Sequence, residues 1–397
     1  GPLNLAVAFI LCIAIELPFA FSYMEAIPMF PLPGGEVVYS YAAFGPRGGF
    51  AVGWAGILMN TIVFCWVDLA AVSLLDELFP MLRETAVLYH VGDFPVTLPN
   101  LVLQLLLAGA ILWVQIKGAN VCASLAKIAT VVLLVMCAIG LAVCFTHFDP
   151  AVYASDGGLE FDFAGSASLL SLLVFSVAGW ETVSKAAADA TGPAARKAGA
   201  ALITCLILVT GILCLVSTAV AGCLPWREAG GGTAPFALVS RRFAALHPRY
   251  GTPVRCICFT AAFVVLTPFT GKLFFIPFIN VASLTTIVMW VMSFAAVLWL
   301  RRTRPELRRP VSMPGGNVTA VLGLLASVFL VGNILLPMSP GALGGLEYAL
   351  AAALAALGWV LYQFRDRSVT AQEQKQLIFG DMQGGELPST PCKIEEK

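Results

Sequence analysis

The sequence predicts an all-α, polytopic membrane protein with about ten transmembrane helices. Two features carry that prediction: hydrophobic residues make up 59% of the 397 positions and charged residues only 12%, and the apolar residues gather into runs long enough to cross a bilayer. A soluble domain averages about 25% charged residues. With half that supply, too little polar side chain remains to cover a water-facing surface, so lipid is the expected solvent.

A helix needs about 20 apolar residues to cross the hydrocarbon. Ten stretches qualify: roughly 3–28, 50–75, 98–115, 121–146, 165–189, 199–223, 254–271, 273–300, 317–337 and 345–364. The first is too long for the apolar core of a signal peptide, and no cleavage site follows it, so it reads as a mature span. Residues 1–365 form the transmembrane domain. Residues 366–397 are polar, mixed in charge and poor in aromatics, which predicts a disordered cytoplasmic tail.

Formal net charge is zero and no basic block occurs, so nothing points to nucleic acid as a partner. Most of the 11 cysteines lie inside apolar runs, among them Cys12, Cys65, Cys137, Cys144, Cys205 and Cys214. Without a C-x-x-C pair or a His/Cys cluster, neither a disulfide framework nor a metal site is expected, and these thiols read as small buried hydrophobes. His90, His147 and His247 fall in predicted loops. No H-E-x-x-H, G-x-S-x-G or phosphate-binding loop is present, so there is no catalytic residue to assign, no cofactor is expected, and an enzyme is disfavoured.

Lys and Arg collect on the cytoplasmic side of a membrane. Arg47, Lys117, Lys127, Lys185, Arg196 and Lys197 place the loops 30–49, 116–127 and 185–197 inside. The alternating loop 147–163 holds four acids and no base. Parity then fails. Arg241, Arg242, Arg249 and Arg255 form the next basic loop, yet only one clear span, 199–223, precedes it. Either four arginines face outward or a helix is missing near Ser240, and the missing helix is the favoured reading.

Residues 16–54 read E-L-P-F-A-F-S-Y-M-E-A-I-P-M-F-P-L-P-G-G-E-V-V-Y-S-Y-A-A-F-G-P-R-G-G-F-A-V-G-W. This segment resembles the amino acid–polyamine–organocation (APC) superfamily permeases, in which a Y-A-E…F-P run, G-G-x-Y-x-Y, F-G and G-F…G-W follow in that order. Phe175–Ala190 with Gly192-Pro193, His247–Val254 and Leu300–Pro314 resemble later parts of that family in the same order. The resemblance covers residues 1 to about 365. It implies an incomplete LeuT-type inverted-repeat fold, because the family's first helix would precede Gly1 and its eighth would lie between Phe236 and His247. A fragment or a mis-spliced gene explains both gaps; a shortened protein with another role is the alternative.

The resemblance further implies a secondary active transporter, antiporter or symporter, moving amino acids or related amines across the plasma membrane, proton-coupled or by exchange. A transport-inactive or regulatory relative is the alternative function. Amino acids or polyamines, and protons, are the small partners the resemblance implies. A disulfide-linked heavy chain is not expected, since residues 76–97 contain no cysteine. In such transporters, half-helix ends and freed main-chain groups at mid-membrane bind the substrate. Ser176, Val177, Ala178, Gly179 and Trp180 fit that break; an unbroken helix with a small-residue packing face is the other reading. Phe175 matches a substrate-packing aromatic, and Asn60, Phe64 and Ser283, with Met59, Val67 and Thr286, complete the implied pocket. Core packing for the aromatics and bonding of the hydroxyls back to their own helix stay open beside these roles.

Glu181 is the implied proton-coupling residue, because a charge at the bilayer centre costs roughly 3 kcal/mol on insertion scales. Asp68, deep in an apolar run, joins it. Glu16, Asp68 and Glu181 are predicted to be buried with no Lys or Arg at mid-span to pair with them. Such carboxylates take up a proton or face a cation, which leans toward a cationic substrate. Glu25 is expected to reach water near the helix end by extending its side chain, or to brace the adjacent loop.

Overall fold

The computed structural model describes residues 1–30, 32, 34–78, 85–91, 94–117, 119–186, 193–223, 269 and 275–364. The predicted span 254–271, the expected gap between Phe236 and His247, the basic loop 241–255 and the tail 366–397 lie almost wholly outside them. Among the described residues the chain forms α1 (Pro2–Met29), α2 (Glu36–Leu78), β1 (Val87–Val91), β2 (Phe94–Thr97), α3 (Leu98–Lys117), α4 (Ala119–Thr146), α5 (Pro150–Ala154), α6 (Phe163–Val177), α7 (Thr182–Ala186), α8 (Pro193–Ala221), α9 (Phe275–Thr303), α10 (Asn317–Leu335) and α11 (Gly345–Gln363). Eight helical segments are long and apolar enough to cross a membrane, with α6 and α7 counted as one segment, and Leu98–Val114 is a shorter apolar helix. The protein is an all-α, multi-pass integral membrane protein.

The middle of the bundle is α1, α6 and α9, with α2 packed along α9 and α8 along α1. On α1 the fully buried positions Ala8, Cys12, Glu16, Phe19, Tyr23 and Ile27 recur every three or four residues, a continuous stripe facing protein, and Phe9, Ala20, Ser22, Glu25 and Ala26 are buried beside it, leaving Ile10 and Ala14 exposed. α4 shows the opposite limit. Its apolar surface is exposed, including Val131 to Met136 at 47–65%, which is stable only against lipid.

The G-G-E and G-P-R-G-G motifs have local physical reasons. Gly34 and Gly35 have φ of +121° and +48°, a left-handed turn that side chains disfavour. A Cβ on Gly35 would lie 2.5 Å from Ser184 Oγ, so the turn can lie against α7 only without one. Gly45, φ +70° and ψ −161°, breaks α2, and Pro46 restarts it, as proline suits a first helical turn. The stretch predicted as a loop over 30–49 is therefore largely helical. Main-chain hydrogen bonding, which periodicity does not report, decided that. The hairpin of β1 and β2, with Val87 opposite Thr97 and His90 opposite Pro95, also went unread, and it places His90 on a strand.

Glu25 corrects a second expectation. It does not reach water, being 0% exposed. Its Oε1 accepts from Arg301 Nε at 2.9 Å and lies 3.4 Å from Arg309 Nε. Its Oε2 accepts from Arg301 Nη2 and from the Met313 main-chain N–H at 2.7 Å. Arg309 also donates to the carbonyls of Leu300 and Arg304 at 3.1 Å, which satisfies acceptors left over at the end of α9. The R-R-T-R-P-E-L-R-R-P run is thus partly a helix cap and partly the counter-charge to one buried acid.

Removing one partner of a buried, hydrogen-bonded ion pair typically costs about 3–5 kcal/mol. Arg301 and Arg309 keep 24% and 18% side-chain exposure, so the low end of that range applies. Glu25→Ala is expected to lower the thermal denaturation midpoint of the detergent-purified chain by several degrees, and Arg301→Ala to do nearly the same. The double variant should lose less than the sum. An unchanged midpoint in Glu25→Ala would show that the pair is not structural.

Candidate functional site: the helix interruption at residues 178–181

Asp162 starts α6 by accepting the N–H groups of Ala164 at 3.0 Å and Gly165 at 2.8 Å, the usual work of an N-cap carboxylate. Three side chains or loops then brace this helix. Asn333 donates to Ala167 O at 3.1 Å, Ser171 to Gly341 O at 3.1 Å, and Ser283 to Ser171 O. Such cross-helix hydrogen bonds replace the hydrophobic drive that lipid cannot supply between helices.

The helix ends at Val177 and resumes at Thr182. Ala178 is extended, with ψ 154°, and Gly179 has φ +119°, a region essentially reserved for glycine. The turn that follows is closed by short-range bonds: Thr182 N–H to Gly179 O at 3.0 Å, Val183 N–H to Trp180 O at 3.3 Å and Ser184 N–H to Glu181 O at 2.9 Å. Among the described residues no i→i−4 bond crosses the gap, and the carbonyls of Phe175, Ser176 and Val177 receive no main-chain N–H. Inside lipid such groups must find protein, water or a ligand. A Cβ built on Gly179 would meet nothing within 4 Å, so the turn borders open space.

The acid that follows is held by the turn itself. Glu181, 1% exposed, accepts the Gly179 N–H through Oε2 at 2.9 Å, while Oε1 has no hydrogen-bond partner. Four residues on, Lys185 pairs with Glu36 Oε1 at 3.0 Å, and Ser184 donates to Glu36 Oε2 at 3.2 Å. A hollow lined by Gly34, Glu36, Val37, Gly53, Gly56 and Lys185 opens beside this pair.

The other predicted residues separate into groups. Phe175 and Met59 share one buried cluster with Trp66 and Ala282, and Phe175 meets Trp66 edge-on at 5.4 Å. Phe64 belongs to a different cluster, with Cys65 and Ala108. Ser176 donates back to Leu172 O at 2.9 Å, Thr286 to Ala282 O at 2.9 Å, and Asn60 to Gly56 O. Ser283 spends its proton on α6 and on Ile279 O. Asn60 Oδ1 and both oxygens of Asp68 are buried without a partner. Glu16 is not open to a ligand. Its two oxygens accept from Cys12 Sγ at 3.0 Å and Trp180 Nε1 at 2.9 Å. The three-acid argument for a cationic substrate therefore loses one member. The sequence marks Glu16 and Trp180 singly; only folding brings them together, across 164 positions.

The sequence profile of the amino acid permease family matches residues 1–237 and 229–361. A branched-chain amino acid permease of Bacillus subtilis, BcaP, is 22% identical over 84% of this chain and 81% of its own length. A glutamate/serine transporter of the same organism, AimA, is 24% identical over 80% of this chain and 69% of its own. The profile covers nearly all the described helices, the interruption included, and the relatives are named as transporters rather than enzymes. The chain belongs to the amino acid permease family.

Proposed function

We propose that the chain moves an amino acid or related amine across the membrane by secondary active transport, coupled to protons or by exchange, with the interruption at 178–181 as the binding point. The single observation that carries this reading is the set of unbridged carbonyls at Phe175–Val177 beside the Gly179 turn. Carbonyl oxygens at the end of a half-helix attract an ammonium group. Ala178 and Gly179 leave space for it, and Phe175 supplies an apolar wall. Glu181 sits against the same turn with one oxygen unpartnered, where gain or loss of a proton alters the charge a substrate meets; Asp68 is the second buried acid available for this role.

The relatives' names cover branched-chain and glutamate/serine substrates, so family membership leaves the side chain of the substrate open. The alternative reading is a transport-inactive or regulatory form. Asn60, Ser176 and Ser283 each donate to carbonyls of the protein rather than into a cavity, which favours it to that extent.

The chain reconstituted in proteoliposomes is expected to take up at least one radiolabelled amino acid when a pH gradient or an internal exchangeable amino acid is supplied. Retention of the fold with no uptake of any amino acid or amine would support the alternative. Glu181→Gln should flatten the dependence of uptake on external pH, and an unchanged profile would remove Glu181 from coupling. Gly179→Ala places a Cβ at φ +119°. A left-handed backbone costs an ordinary residue about 1–2 kcal/mol, so uptake should fall roughly five- to thirty-fold while membrane abundance is kept.

A further inference from the structure

We propose that Glu16 is a positioning residue for the transport step: its carboxyl group fixes the indole of Trp180 and thereby the Gly179–Glu181 turn. The proposal deepens the transport reading and rests on it for its kinetic consequences.

Trp180 lies between Gly179, in its left-handed conformation, and Glu181, and its backbone is held by a single turn bond, its carbonyl accepting the Val183 N–H at 3.3 Å, with no i→i−4 bond among the described residues. Side-chain contacts therefore hold this part of the chain. The indole is 2% exposed. It stacks on Trp290 with centroids 5.2 Å apart and planes 30° apart, and it meets Tyr23 edge-on at 5.3 Å. Stacking is broad in angle, and a ring held by it alone can turn within its own plane. The indole N–H has one direction, and at 2.9 Å it points to Glu16 Oε2.

Glu16 in turn has little freedom. It lies on α1 two residues before Pro18, is 0% exposed, and its other oxygen accepts from Cys12. Among the described residues no cation touches it. The bond therefore ties α1 to the interruption at a point held on the main chain only by short-range turn bonds. A movement of the turn that displaces Trp180 must break this bond or carry α1 with it.

Glutamine at this position keeps an oxygen for the indole and offers its amide to the Cys12 sulfur. Leucine fills a similar volume but leaves the buried N–H without an acceptor. The full chain, labelled with 5-fluorotryptophan and reconstituted, gives one fluorine resonance for Trp180, identified by its disappearance in W180F. E16L is expected to shift that resonance, and E16Q to return it close to the wild-type position.

In uptake, E16L should lower the maximal rate by about tenfold, the rate counterpart of one lost buried hydrogen bond, with KM nearly unchanged. E16Q should recover most of that rate. The combined E16L/W180F chain should be no slower than the slower single variant. If E16L does not reach the membrane, E16M replaces it as the variant without the acceptor.

A Trp180 resonance that is the same in wild type, E16L and E16Q overturns the proposal, as do rate losses that multiply in the double variant. Should the wild-type chain take up nothing, the transport reading fails, and the fluorine resonance alone decides the role of Glu16.

Discussion

Hydrocarbon offers no hydrogen-bond partner, so every main-chain N–H and C=O at membrane depth must be satisfied inside the protein. Long helices meet this demand residue by residue. At 178–181 the chain abandons the helix, and the organisation around that point follows from the omission. Gly179 provides the only backbone conformation that makes the turn short. Glu181 takes the orphaned Gly179 N–H, and α6 is braced by Asn333, Ser171 and Ser283. Among the described residues the carbonyls of Phe175 to Val177 receive no main-chain N–H, which is the feature on which the proposed binding point rests.

Ionic groups in the structure follow the same economy. Glu25 is charge-matched by two arginines and a main-chain N–H, and Glu36 by Lys185 and Ser184. Both sets sit near helix ends, where desolvation is least severe. Among the described residues Glu16 and Asp68 have no matched cation, whereas Glu181 lies close enough to Lys185 for the two charges to interact. Glu16 accepts from Cys12 and Trp180, Glu181 accepts the Gly179 N–H, and the Asp68 oxygens have no hydrogen-bond partner among the described residues.

The distribution of apolar surface fits a bundle with a buried middle and a lipid-facing rim. α1, α6 and α9 exchange large aromatics, with Phe19 and Trp180 each approaching Trp290 and Phe19 meeting Phe294 edge-on. α4, by contrast, keeps its Val and Leu side chains outward. Membership of the amino acid permease family places this arrangement among amino acid transporters.

Composition and apolar run length were enough to determine the class, the membrane setting and, among the described residues, eight of the ten predicted spans, with 98–115 present as a shorter apolar helix, because partition into lipid depends on summed side-chain character and little on neighbours. Gly179 within F-S-V-A-G-W-E was compatible with a break or with an unbroken helix, and it was the family resemblance that favoured the break. Two kinds of fact needed the tertiary structure. One is which polar side chains are free: only packing shows that the Asn60 amide and the Ser176 and Ser283 hydroxyls each donate to a nearby carbonyl. The other is partnership over distance. Glu25 was read as reaching for water, and the arginines that hold it lie more than 270 positions away. Glu16 and Trp180 are 164 apart. A hydrogen bond is set by ångströms in space, and one-dimensional spacing carries that information only within a helix turn.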